Sequence, residues 1–133
     1  MLEQAIIDYF KSDPEVAAVY LFGSHATGKN RPISDVDLGI LLMLECKTSD
    51  HELKDKYIIQ LGRILRKDIH PVIMNRSNEV LLKQIMDRGK CILLNDAEFH
   101  HQFKAISITK IIDYNFYLKQ FHSALKKKVM KDE

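Results

Sequence analysis

The sequence predicts a mixed α/β (α+β) domain, a mixed sheet flanked by helices and ending in a long C-terminal helix. Three observations predict it. Val16–Phe22 is apolar throughout and bounded by Pro14 and Gly23. Residues 34–43 alternate, with Asp35, Asp37 and Gly39 on one face and Val36, Leu38 and Ile40 on the other. Around these two runs, apolar residues recur at helical spacing.

Taken in order, Leu2, Ala5, Ile6 and Tyr9 fall on one helical face, which predicts a helix over residues 2–11, stopped by Ser12, Asp13 and Pro14. The apolar run that follows has the length and composition of a buried strand. The alternating run is the second strand. Leu53, Tyr57, Leu61 and Leu65 repeat every four residues and predict a helix over residues 49–66 packed by one face. Residues 68–75 read as a third strand. Pro71 lacks a ladder donor, so this strand lies on an edge or carries a bulge. Ser77 is placed to cap a helix running to Arg88, with Gly89 as its stop. Residues 91–95 fit a short fourth strand. From Glu98 to Lys128, Ile108, Ile111, Tyr114, Leu118, Phe121 and Leu125 form one long apolar stripe. Periodicity leaves the strand order open.

The 133 residues fit one domain over 1–133, long enough to bury its own core. The net charge of +2 is too small to argue for a nucleic-acid or membrane surface, and no direct nucleic-acid binding is expected. The local excess at Lys126, Lys127, Lys128 and Lys131 suits a solvated helix end, where cations match the dipole. Cys46 and Cys91 are far apart and form no CxxC, as expected of free thiols in a reducing compartment. No basic leader and no apolar run of about 18 residues is present. The expected location is cytoplasmic.

The chemistry concentrates between Leu21 and Leu42. Gly23, Gly28 and Lys29 have P-loop spacing, but the Ser or Thr that should follow the Lys is Asn30. Pro32 then holds Arg31 extended, where a P-loop would start its helix. A second reading accounts for more residues. Asp35 and Asp37, two apart on a strand, project from the same face with Cα atoms roughly 6.6 Å apart. Carboxylates converging to about 4 Å repel by about 4 kcal/mol at an effective dielectric near 20, which a cation between them relieves. Oxygen donors suit Mg²⁺ or Mn²⁺, ions that also take phosphate oxygens. Gly23 ends the buried strand. Main-chain N–H groups after it, with the Ser24 hydroxyl, make an anion site beside the acidic pair.

Gly23-Ser24, ten residues, then Asp35-x-Asp37, preceded by VYLF and followed by LGILL, resembles the signature of the polymerase beta-like nucleotidyltransferase superfamily. The short chain, the segment from Asn75 to Asp96 and the long C-terminal helix resemble the minimal nucleotidyltransferase (MNT) family, the MntA-type antitoxin halves of HEPT/MNT toxin–antitoxin pairs. The resemblance implies ATP as substrate, its phosphates on Gly23 and Ser24, and a divalent metal on Asp35 and Asp37. It also implies a cognate HEPT-type toxin partner in a hetero-oligomer, and AMP transfer to a toxin tyrosine. The family's third carboxylate falls, by its distance from Asn75, at His70. Asp68 lies two residues earlier and on the same strand face. Either Asp68 substitutes, or His70 acts in its place, or the site is weakened. The last case leaves a non-catalytic antitoxin that neutralises by binding. A small-molecule nucleotidyltransferase is the remaining alternative, and no second substrate domain supports it.

Other residues are expected to be less special. Adjacent His100 and His101 diverge on a helix and read as surface residues. His25, Lys29 and Arg31 read as a charged loop, able to touch phosphate or steer ATP. Tyr114, Phe116, Tyr117 and Phe121 read as core or partner packing.

Overall fold

The uninterrupted apolar run Val16–Phe22 forms strand β1, every residue of it buried, because both of its faces are covered and it has a partner strand on each side. The structure is a computed structural model and describes residues 2–23, 35–44 and 47–131. Before β1 comes helix α1 (Leu2–Phe10); after it come β2 (Val36–Leu42), α2 (Asp50–Leu65), β3 (Ile69–Ile73), a 3₁₀ turn (Met74–Arg76), α3 (Glu79–Arg88), β4 (Lys90–Leu94) and α4 (Ala97–Lys131).

The sheet order is β3-β2-β1-β4. β1 is antiparallel to β2 and β4, and β2 is parallel to β3, so the sheet is mixed as expected. β3 is an edge strand, which is where Pro71 is tolerated. Alternation along the strands divides the core. Val19, Leu21, Leu38, Ile40 and Ile69 pack under α1 and α2 with Phe10, Tyr57 and Leu61. Tyr20, Phe22 and Leu41 pack under α3 and α4 with Leu82, Ile85 and Phe103. Gly39 makes the second layer possible. A Cβ there would lie 3.2 Å from the Met74 sulfur and 3.4 Å from Ile85.

Caps fix the helix starts. Ser49 accepts from the Glu52 N–H and Asp96 from that of Phe99. Asn78, not Ser77, caps α3 by accepting from Leu81 N–H, while the Ser77 hydroxyl donates to the Ile73 carbonyl. Two further asparagines close the lower end of the sheet. Asn75 accepts from Leu42 N–H and donates to the Leu42 carbonyl, both at 2.8 Å. Asn95 donates to the carbonyls of Phe10 and Val16.

α4 is 35 residues long, about 52 Å. Its first turns lie on the sheet through Phe99, Phe103, the buried Ser107 and Ile111. Beyond them Phe116, Tyr117, Phe121, Leu125 and Val129 are exposed. His100 departs from the expectation of a surface residue. It faces the sheet, 2.5 Å from the Tyr20 hydroxyl, and burial, then the charges of Lys104 and His101, hold its pKa below the ordinary value. Among the described residues no helix is long and apolar enough to cross a membrane.

Candidate active site

The upper end of the sheet, where β1 stops and β2 begins, gathers the residues singled out by the sequence. Gly23 follows β1 at φ +72, in the left-handed region. Asp35 immediately precedes β2, and Asp37 is its second residue. In the ladder Asp37 stands between Phe22 of β1 and His70 of β3. The alternation that buries Val36 and Leu38 under α1 and α2 sends Asp35 and Asp37 to the other face.

His70 joins them. Its Nε2 lies 3.2 Å from Asp35 Oδ2, and its Nδ1 lies 3.7 Å from Asp37 Oδ1. The imidazole therefore stands between the two carboxylates, one nitrogen toward each. The three side chains remain open to solution, 58 % exposed for His70, 45 % for Asp35 and 32 % for Asp37. Gly23 supports the pair in a second way. A Cβ at this position would lie 2.3 Å from Asp37 Oδ2, so only glycine lets the chain turn against that carboxylate.

The Asp68 carbonyl accepts from Val36 N–H at 2.9 Å, and the residue borders an open depression of about 530 Å³ beside α2. Of the two third-position candidates, His70 is the one that touches both aspartates. Ser24, His25, Lys29, Arg31 and Cys46 lie outside the described residues. Among the described residues no group of three or more His, Cys, Asp or Glu side chains is arranged to hold a metal ion. The donor chemistry of the acidic pair still fits one. Two accessible carboxylates on one strand face offer the oxygen ligands that hard divalent ions take.

Sequence reasoning assigned Gly23 to phosphate and did not find its contact with Asp37. The signal available was a glycine closing an apolar strand. It also treated Asn75 only as a landmark, though that side chain clamps β2.

The polymerase beta nucleotidyltransferase family matches residues 4–98. No curated protein matches the chain. Solved structures do, over almost their whole length. One is a toxin–antitoxin complex with AMP-PNP, at 24% identity over 98% of this chain and 99% of that one, TM-score 0.72. Another is a mutant MntA toxin–antitoxin complex, at 26% identity over 96% and 97%, TM-score 0.68. A third is a tri-AMPylated Shewanella oneidensis HEPN toxin in complex with an MNT antitoxin, at 23% identity over 97% and 96%, TM-score 0.65. With the family matched across most of its length and the acidic pair at the end of the sheet, the chain belongs to the polymerase beta nucleotidyltransferases.

Proposed function

We propose that this nucleotidyltransferase is an antitoxin that transfers AMP from ATP to a tyrosine of a cognate HEPN-type (HEPT) toxin and so neutralises it. The observation that carries the reading is the meeting of Asp35, Asp37, His70 and Gly23 at one end of the sheet. Likeness along nearly the whole chain to a complex holding an AMPylated toxin supports the choice of acceptor.

In this reading Gly23 and Ser24 receive the triphosphate, and Asp35 and Asp37 hold a divalent ion, Mg²⁺ or Mn²⁺. When bound, that ion supplies charge neutralisation at the α-phosphate and the departing pyrophosphate. The tyrosyl oxygen bonds to the α-phosphorus, the bond from that phosphorus to the bridging oxygen of pyrophosphate breaks in line, pyrophosphate leaves, and the hydroxyl proton passes to solvent. The protein's part is positioning. Gly23 fixes Asp37 from one side, and His70 fixes both carboxylates from the other, in the third position of the site. The exposed apolar residues of distal α4, Phe116 and Phe121 among them, are the toxin-facing surface.

The test incubates the protein with its neighbouring HEPN-type toxin, Mg²⁺ and ATP labelled at the α-phosphate. Label on the toxin, abolished by Asp35→Asn, is the expected result. A second reading, neutralisation by binding alone, draws on a histidine standing where the family has an acid. Unlabelled toxin that is nevertheless neutralised by Asp35→Asn protein would establish it instead.

A further inference from the structure

We propose that His70 is a direct ligand of the divalent ion, and that a set of two carboxylates and one imidazole takes a first-row transition ion in preference to Mg²⁺. The inference rests on the reading of Asp35 and Asp37 as metal ligands, and it decides between the ions which that reading leaves open.

The sheet aims the imidazole. In the parallel ladder His70 is the partner of Asp37, so their side chains leave one face of the sheet a strand spacing apart, about 4.8 Å. Pro71 follows His70 and confines its backbone to extended geometry. The result is a nitrogen at ligand distance from a carboxylate oxygen, His70 Nε2 to Asp35 Oδ2 at 3.2 Å. Two donors bonded to one ion at about 2.1 Å are about 3.0 Å apart at a right angle and about 3.4 Å apart at the tetrahedral angle. The observed pair falls between these values. The other nitrogen, Nδ1, lies 3.7 Å from Asp37 Oδ1. One ion takes one ring nitrogen, so the three side chains are a ready pair with a neighbour rather than a closed cage. Asp35 and His70 are the more exposed members, and they have room to turn together toward Asp37.

Geometry favours a ligand over a general base. A base would turn one nitrogen toward an incoming hydroxyl, whereas both nitrogens of His70 face the carboxylates. Donor chemistry then selects the ion. A third carboxylate would add a negative charge and another oxygen, the donors that suit Mg²⁺. A ligating imidazole is neutral and offers nitrogen. It therefore weakens the pull on Mg²⁺, which dehydrates reluctantly, and strengthens the hold on transition ions, which accept imidazole readily. The two carboxylates keep the site hard enough to share its ion with phosphate oxygens.

The test mixes full-length protein labelled with ¹⁵N with Mn²⁺ and an unlabelled, non-hydrolysable ATP analogue. Pulsed electron paramagnetic resonance reads the nuclei bonded to the ion. The wild type is expected to show a ¹⁵N coupling, which only the protein can supply, and His70→Gln and His70→Asp are expected to lose it. In His70→Asp, Mg²⁺ should displace half of the bound Mn²⁺ at a concentration roughly tenfold or more below that needed for the wild type. His70 is an exposed side chain, so both variants are expected to melt with the wild type. Bound Mn²⁺ without the coupling, or a coupling that survives in the variants, overturns the ligand role and leaves the transfer reading standing. So does an unchanged displacement concentration. Wild-type protein that holds no Mn²⁺, or holds it no better than Asp35→Asn, Asp37→Asn protein, refutes the metal site itself, and the inference with it.

Discussion

The two ends of the sheet use short polar side chains in opposite ways. At the lower end Asn75 exchanges hydrogen bonds with Leu42, and Asn95 holds the carbonyls of Phe10 and Val16. Donors and acceptors there are matched within the fold. At the upper end two carboxylates of like charge stand side by side, bridged by a histidine and open to solution. The lower end converts polarity into stability. The upper end keeps like charges together and accessible, an arrangement suited to a divalent cation. Removing polarity should therefore cost stability below and activity above.

The largest expected effect is at Gly23. Gly23→Ala places a methyl 2.3 Å from Asp37 Oδ2 at a backbone φ of +72. Displacing that carboxylate by about 1 Å should lower AMP transfer on the order of 10²-fold. The left-handed alanine should cost about 1 kcal/mol of stability. Steady-state transfer to the toxin and chemical denaturation measure the two; a variant with full activity would separate Gly23 from the site.

Asn75→Ala should do the reverse. It removes two part-buried hydrogen bonds to Leu42 and should cost about 2 kcal/mol in urea unfolding, with transfer per folded molecule unchanged. Lost activity in a stable variant would contradict the division between the ends.

The smallest effect sharpens the comparison within one residue type. His100 is closed against Tyr20, whereas His70 is open. Because burial holds the His100 pKa below 6.5, the unfolded chain binds this proton first. The contribution is present above about pH 6.5 and is lost as pH falls through the lowered folded value. His100→Gln should flatten that part of the stability profile, read from melting curves at successive pH values.

The elements of the fold were legible because local patterns carry them. The apolar run became β1, the alternating run became β2, and β3 took the edge, one of the two placements that the missing donor of Pro71 allowed. Ends shifted where a competing local bond won. The third strand stops at Ile73 because Met74–Arg76 turns into a 3₁₀ helix. Asn78 outcompetes Ser77 as a cap because the Ser77 hydroxyl is spent on Ile73. That Asp35 and Asp37 share a face was legible from spacing alone. That His70 reaches both of them was not, since it depends on which side chain crosses from β3 to β2, a contact between residues more than thirty positions apart. The Gly23–Asp37 contact and the Asn75 clamp were hidden because they too join separate elements of the fold.

The most direct test of the central claim, that the open end binds divalent metal and nucleoside triphosphate, is calorimetric titration of the protein with Mg²⁺ and a non-hydrolysable ATP analogue. Wild-type protein should bind near one equivalent, and the double variant Asp35→Asn, Asp37→Asn should lose that binding while unfolding at the same or a higher temperature. Equal affinity in the folded double variant would place the nucleotide somewhere else and contradict the account.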